Sequence, residues 1–236
     1  MQCFATVLLL LYLPLLTLAQ TAPDDEDLPQ ITINTVSAEG TGCPSGTFSI
    51  SISPDRTVVT LGFNEFALGI GQGWTQADRQ KTCNIHLNVH YPAGYSYGVV
   101  KTTYHGFAQL DEGINGVFET EYIFADEDGD PEGLLGGLLG LIGGLLGGVA
   151  DILRIVTTVV ISGGGLLADG DTFTVTDEVP LGDVVRSPCE GQNADMLVRM
   201  NIGLEAQSPN AQGSLTDDDA TIALEQQMWL EWQTCG

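Results

Sequence analysis

Alternating apolar and polar positions are the main pattern along this chain. The pattern is clearest at residues 48–53 and 84–91, where every second side chain is apolar. A period of two is typical of strands that bury one face, and Gly, Pro and Asp turns separate these segments. The same pattern recurs at 31–36, 58–68, 95–107, 117–124, 173–179, 196–204 and 222–232. We therefore predict an all-β fold, an antiparallel β-sandwich of about 8–9 strands.

One long segment interrupts the alternation. An acidic run at residues 126–132 is followed at 133–148 by almost only Gly and Leu. On a helix, many of these glycines would share one stripe, the small-xxx-small pattern of close helix contacts in membranes. The glycines to which we assign an interaction role are Gly136, Gly140, Gly144 and Gly148.

We interpret residues 126–150 as an insert, hereafter the Gly/Leu insert, that is flexible or partly helical and packs on the domain. One alternative is a self-association or membrane-contact element, and another is a true membrane span at the lower length limit of about 18–20 residues. A span would place the cysteine pairs on opposite sides of the bilayer. Disulfides form on the exported side, so an oxidised downstream pair disfavours a membrane span.

The N-terminus predicts export. Residues 7–16 form an apolar core of about ten residues, which fits a signal peptide and is shorter than the roughly 20 residues of a span. Thr17 and Ala19 supply small residues at the positions that signal peptidase recognises, so we place cleavage after Ala19. The alternative is an uncleaved anchor, which the acidic, proline-containing stretch that follows disfavours.

These features give the domain organisation. We predict a signal peptide at residues 1–19, an acidic, proline-containing linker at 20–30, and a single secreted β-sandwich domain at 31–236. The Gly/Leu insert lies within that domain, at about 126–150.

The cysteines agree with an oxidising destination. Of five cysteines, Cys3 lies within the predicted signal peptide. Four remain, and an even number in an exported chain predicts two disulfides with three conceivable pairings. We favour Cys43–Cys83 and Cys189–Cys235, because each bridge then joins segments within one half of the chain. Metal binding is the weaker interpretation, since no two cysteines have C-x-x-C spacing.

The formal charge limits the classes of partner. The chain has 7 basic and 31 acidic residues and a net charge of −24 at pH 7. Such a surface repels phosphate backbones and anionic lipids, so nucleic-acid binding and general membrane contact are disfavoured. No Asn-x-Ser/Thr sequon occurs, so the charge must provide solubility without N-glycans. Binding of a specific cationic partner is the alternative explanation of the acidic charge.

Candidate metal ligands are present but poorly arranged. His86 and His90 have the i, i+4 spacing of zinc ligands on a helix, yet the alternation around them predicts a strand, where about 13 Å separates them. His105 is expected to be a surface or hydrogen-bonded histidine. Asp126, Asp128 and Asp130 resemble the start of a calcium loop, but the glycine is misplaced and no Glu occupies the twelfth position. We predict no metal and no cofactor.

Catalytic signatures are absent from the sequence. There is no G-x-S-x-G elbow, H-E-x-x-H pair or phosphate-binding loop. Glu119 and Glu121 would lie on one strand face about 7 Å apart, a separation that suits a glycosidase pair. With 31 acidic residues, such coincidences arise by chance. We therefore assign no catalytic residue.

Three tryptophans suggest a carbohydrate platform. Trp229 and Trp232 are an odd number of residues apart and would face opposite sides of a strand, which argues against a joint platform. Together with Trp74, they are more simply explained as core residues.

Several segments resemble a known family. They are Gly-Cys-Pro-Ser-Gly at 42–46, Lys-Thr-Cys-Asn-Ile-His-Leu at 81–87, Tyr-Pro-Ala-Gly-Tyr at 91–95, Ser-Pro-Cys at 187–189 and Trp-x-x-Cys at 232–235. They are similar to a domain-of-unknown-function family of small secreted, four-cysteine, β-rich proteins from fungi and plants. The resemblance implies export and a β-rich fold. It implies no activity, and the Gly/Leu insert departs from the family pattern.

We hold three hypotheses of function. The first is a non-catalytic extracellular or cell-wall-associated protein that binds a glycan or a protein. The second is a secreted hydrolase, glycosidase-like, with an unrecognised carboxylate pair. The third is a self-assembling or surface-active protein that acts through the Gly/Leu insert, the one place where membrane contact is considered.

The cleavage site makes a direct prediction. The mature protein recovered from the medium of a secreting host should begin at Gln20, because Thr17 and Ala19 occupy the positions that the peptidase recognises. N-terminal sequencing and intact mass measure this. A secreted chain that still begins at Met1 would contradict the prediction.

Overall fold

The chain folds into two antiparallel sheets packed face to face. A computed structural model describes residues 31–124, 154–189, 192–216 and 224–236. One sheet has the order β1-β5-β10-β7-β8; in the other, β2-β3-β12-β6-β11-β4 form a row, with β9 beside β6. The strands are β1 (Thr32–Glu39), β2 (Phe48–Ile52), β3 (Val58–Phe63), β4 (Leu68–Ile70), β5 (Gln80–Tyr91), β6 (Tyr95–Leu110), β7 (Ile114–Phe124), β8 (Arg154–Ser162), β9 (Asp171–Glu178), β10 (Gln192–Ala206), β11 (Gly213–Thr216) and β12 (Leu224–Thr234).

The predicted all-β, antiparallel sandwich is confirmed, although the described residues contain more strands than the predicted 8–9. The sequence pattern missed β4, β8 and β11. Strands β4 and β11 have only 3 and 4 residues, too few to show a period of two. Strand β8 consists almost entirely of β-branched residues, so its exposed and buried positions do not differ in polarity.

Strand β6, with 16 residues, is the longest element in the described part of the chain, and it organises the seven-stranded sheet. Its first part pairs with β12 and its last part with β11, along the same edge. Strand β9 pairs with the opposite edge. A short helix, α1 (Leu166–Asp169), packs beside β6 just before β9 begins.

The core lies between the sheets and is filled by the inward residue of each alternating pair. An aromatic group closes one end of it, with ring centroids 5.1 to 6.0 Å apart. Its members are Tyr91, Tyr97, Phe124 and Trp232. Burial of each large apolar side chain contributes roughly 1.5–3 kcal/mol to folding.

Two disulfides join distant segments, Cys43 to Cys83 and Cys189 to Cys235. This is the pairing that the sequence favoured. The first attaches the loop after β1 to β5, and the second attaches the end of β12 to the segment before β10. Closing loops of 40 and 46 residues removes conformational freedom from the unfolded chain. Each bridge contributes roughly 4 kcal/mol in the chain-entropy account.

A polar network crosses the core between the two sheets. The Gln226 side-chain amide of β12 donates to the Tyr122 hydroxyl of β7 at 2.8 Å and to the Thr120 hydroxyl at 3.3 Å. Tyr122 also shares a 2.6 Å hydrogen bond with Thr102 of β6, and Tyr104 shares one with Thr120. All five residues are buried, so these bonds connect the sheets where water cannot replace them.

Several predicted features lie outside the described residues. They include the signal peptide and linker at 1–30, the Gly/Leu insert with Gly136, Gly140, Gly144 and Gly148, and the aspartates at 126, 128 and 130. Within the part of the chain that is described, no helix has the length and apolarity needed to cross a bilayer.

The buried tyrosines predict a response to alkaline pH. Burial raises the pKa of Tyr97, Tyr104 and Tyr122 well above the ordinary value of about 10. The native state holds these phenols neutral, whereas the unfolded chain ionises them near pH 10. Their contribution to stability is therefore complete below about pH 10 and is lost as the pH rises further.

We expect tyrosinate absorbance to rise in two stages during alkaline titration. The second stage should coincide with loss of the far-ultraviolet circular dichroism of the sheets, because these three tyrosines ionise only on unfolding. The same protein in denaturant, titrated in parallel, should show a single stage near pH 10. A native titration that reaches full ionisation while the dichroism stays intact would contradict the prediction.

Candidate functional site

A cleft lies on the outer face of the seven-stranded sheet, where β4, β11 and the end of β6 meet. Its volume is about 210 Å³, and both polar and apolar groups face it. The lining residues are Ile70, Trp74, Gln109, Asp111, Gln212, Gly213 and Ser214. We call it the Trp74 cleft.

The Trp74 indole packs face-on against the backbone of β4. A Cβ atom placed on Gly69 would overlap the six-membered ring of the indole, so the ring occupies the space that a side chain at Gly69 would fill. Trp74 is nevertheless 37% exposed, among the most exposed large apolar side chains of the described residues. One side of the ring is therefore covered by the sheet, and the remainder is accessible beside the cleft.

The loop that carries Trp74 is fixed at both ends. Gly71 and Gly73 have φ angles of +106° and +92°, which L-residues with side chains rarely adopt, and the Trp74 amide donates to the Gly71 carbonyl at 3.3 Å. On the other side, the amide and hydroxyl of Thr75 donate to the Asp78 carboxylate at 2.9 and 2.6 Å. These bonds, with the hydroxyl bond as the largest contribution, hold the pKa of Asp78 below its ordinary value.

The polar side of the cleft comes from β6, β11 and the turns that follow or precede them. Gln109 of β6 pairs in register with Ser214 of β11, and Ser214 pairs with Gly69 beneath the indole. The Asp111 carboxylate accepts a 2.8 Å hydrogen bond from the backbone amide of Gln212, and the backbone amide of Asp111 donates to the backbone carbonyl of Gln212 at 3.0 Å. Amide, carboxylate and hydroxyl groups thus lie side by side next to an aromatic ring.

The other two tryptophans do not contribute to this cleft. Trp232 packs against the core, as the sequence predicted, and its indole donates to the Arg56 carbonyl at 3.1 Å. Trp229 lies on the outer face, where the Lys101 ammonium stands 3.6 Å from its ring centroid. The core assignment is therefore wrong for Trp74 and Trp229. Trp229 projects from the outer face of β12, where side chains stay partly exposed, and Trp74 lies in the loop that follows β4.

The candidate histidines lie apart on exposed sheet faces. His86 and His90 both project from the outer face of β5, and His90 shares a 3.3 Å hydrogen bond with Asn193. His105, on the outer face of β6, shares a 2.8 Å bond with the Thr174 hydroxyl. The described part of the chain contains no group of three His, Cys, Asp or Glu residues placed to hold a metal ion.

The candidate carboxylate pair lies on the other sheet. Glu121 forms ion pairs with Arg154 at 3.0 Å and with Arg199 at 3.5 Å. Glu119 is exposed and lines a shallow hollow of about 510 Å³ together with Arg79, Glu205 and other residues. None of the described residues that line that hollow carries an aromatic ring on which a sugar could stack.

Sequence reasoning missed most of the Trp74 cleft. Gln109, Asp111, Gln212 and Ser214 belong to no motif, and they meet because β11 pairs with both β4 and β6. The one available signal was a tryptophan directly after the glycine-rich stretch at 69–73.

This chain is similar in sequence to a known secreted protein. An "Uncharacterized secreted protein" of Arthroderma benhamiae is 29% identical over 214 residues, which covers 91% of this chain and 74% of that protein. Together with the two disulfides, this similarity identifies the chain as secreted and extracellular.

Two solved structures show weak similarity. TmCBM61 in complex with β-1,4-galactotriose matches at TM-score 0.25 and 9% identity, covering 85% of this chain and 90% of that one. A family 11 carbohydrate-binding module from Clostridium thermocellum in complex with a β-1,3-1,4-mixed-linked tetrasaccharide matches at TM-score 0.21 and 10% identity, covering 84% and 86%. Scores this low carry no argument about function.

The match that defines the family spans almost the whole described domain. It extends over residues 29–235 and so includes both disulfides and every strand of the two sheets. The chain belongs to the family described as Domain of unknown function (DUF4360).

Proposed function

We propose that this secreted chain is a non-catalytic glycan-binding protein and that the Trp74 cleft is its binding site. The observation that carries the proposal is the Trp74 indole, supported from below by Gly69 and exposed beside a row of polar groups. Small-molecule sites combine aromatic surface with a few placed polar groups in this way.

The chemistry of sugars matches both parts of the cleft. A pyranose ring has an apolar face of C–H groups that stacks on an indole, and its rim carries hydroxyls that donate and accept hydrogen bonds. The side chains of Gln109, Gln212 and Ser214 can both donate hydrogen bonds to sugar hydroxyls and accept them. The Asp111 carboxylate can accept them. Asp111 already accepts one bond from the Gln212 amide, which fixes its orientation and leaves further lone pairs for a ligand.

The charge of the protein narrows the class of glycan. The net charge is −24, and Asp111 lies within the cleft itself. Uronic acid or sulfated polymers would be repelled by this carboxylate and by the surrounding field. The ligand class that fits is an uncharged glycan.

The hydrolase hypothesis has less support. Glycoside hydrolysis ordinarily uses two carboxylates about the scissile bond, and among the described residues that line the Trp74 cleft only Asp111 carries a carboxylate. On the other sheet, Glu121 already faces two guanidinium groups, which occupy its carboxylate oxygens. These observations favour binding without catalysis.

Replacing Trp74 tests the site. The Trp74→Ala variant should lose about tenfold or more in affinity for whichever uncharged polysaccharide the mature protein retains, the loss that corresponds to about 1.4 kcal/mol of stacking. Depletion isotherms on insoluble cellulose, chitin, xylan and β-1,3-glucan measure it. Leu181→Ala removes another exposed apolar side chain, away from the cleft, and should bind as wild type does. Equal affinities for wild type and Trp74→Ala would refute the proposed site.

Gly69→Ala tests whether the position of the Trp74 indole against Gly69 is needed for binding. The added Cβ would displace the ring, so binding should weaken and the tryptophan emission should shift, while Trp74 itself remains. Gly182→Ala is the matched control, because its Cβ would meet nothing within 4 Å. Displacement without any loss of affinity, monitored by fluorescence and isotherms together, would show that the stacked position of the indole is not needed.

A further inference from the structure

We propose that the binding site extends to a second aromatic subsite at Phe107, so that the ligand is a polysaccharide chain rather than a single sugar or a chain end. This inference rests on the proposed function and concerns the same face of the sheet. It adds the mode of binding, in which several consecutive sugars lie across strands β4, β11 and β6.

Phe107 lies close to Trp74 on the same face of the sheet. It projects from the outer face of β6, two residues before Gln109, and is half-buried. A Cβ atom on Gly170 would lie 2.8 Å from Cζ of its ring and 3.5 and 3.6 Å from Cε1 and Cε2, so the tip of the phenyl group, and not its face, meets this glycine. The contact limits the movement of the ring, and the half-buried side chain keeps part of its surface accessible.

The register of the strands sets the spacing of the two subsites. Gly69 is separated from β6 by β11, and Phe107 lies two residues along β6 from the position level with Gly69. Two strand spacings and two residues of rise place the Cα atoms of Gly69 and Phe107 about 12 Å apart. That distance is roughly the length of a disaccharide, so one chain can stack on both rings.

The surface between and beyond the rings is suited to sugar hydroxyls. Gln109 and Ser214 lie between Trp74 and Phe107 in register, and Thr216 pairs with Phe107 on one side while Thr172 pairs with it on the other. Thr174 and His105 continue the polar surface in the next row. These exposed or half-buried positions on a sheet face permit a chain to continue past the second ring.

A length series of soluble oligosaccharides tests the inference on the mature protein. The probes are unbranched β-1,4-glucan, β-1,4-xylan and β-1,3-glucan oligosaccharides of two to six sugars, measured by titration calorimetry. Affinity should rise from the disaccharide to the tetrasaccharide or beyond in the series that binds. Phe107→Ala should remove most of that rise and so weaken tetrasaccharide binding far more than disaccharide binding, whereas Trp74→Ala should weaken every length.

Phe107→Leu is measured beside Phe107→Ala. Leucine keeps an apolar side chain next to Gly170 but has no flat ring, so this variant removes stacking with less risk of unfolding the protein. Thr60→Ala, on the same face at β3, is the matched control and should behave as wild type. If Trp74→Ala weakens oligosaccharide binding but neither Phe107 variant changes how affinity depends on chain length, the second subsite is refuted and the proposed function stands. If no probe binds, or if Trp74→Ala binds every length as wild type does, the proposed function and this inference both fail.

Discussion

The alternation of side chains along β6 is the constraint on which the rest of the structure depends. One side of this strand supplies Tyr104, Ala108 and Leu110 to the core, and the other side presents Phe107 and Gln109 to solvent. A shift of one residue in its register would exchange the two sets, burying an amide and exposing core residues. Because β9, β11 and β12 all pair with β6, its register also positions β11 and, through the pairing of β11 with β4, the strands around the candidate site.

The polar network inside the core makes such a shift costly. Apolar side chains alone tolerate small displacements, since any apolar neighbour gives similar burial. The hydrogen bond from Gln226 to Tyr122 and the one shared by Tyr122 and Thr102 exist only when β6, β7 and β12 are correctly aligned. A buried polar group that loses its partner destabilises by about 1–3 kcal/mol. The network therefore selects one alignment of the two sheets, and with it the placement of the outer face.

Local patterns predicted the fold well and the site poorly, for a physical reason. Strands such as β5 bury one face and expose the other, so their sequence records the burial directly. Strand β8 left no such record because Val and Thr occupy its exposed positions alike. Trp74 was assigned to the core because tryptophan is largely buried on average. Only the pairing of Ser214 with both Gly69 and Gln109, across some 100 residues or more of sequence, brings the cleft together.

Rigid placement and acidity together determine what this face can recognise. The indole of Trp74 is fixed by Gly69 beneath it and by the Thr75–Asp78 hydrogen bonds beside it, so little freedom remains to be lost when a ligand binds. A rigid, flat and half-apolar surface favours a ligand that is itself flat and stiff. The net negative charge disfavours anionic polymers, such as nucleic acids and acidic polysaccharides, as ligands of the proposed site. An uncharged glycan chain satisfies both conditions, because it offers apolar ring faces for stacking and hydroxyls for the amides without introducing a charge that the acidic surface would repel.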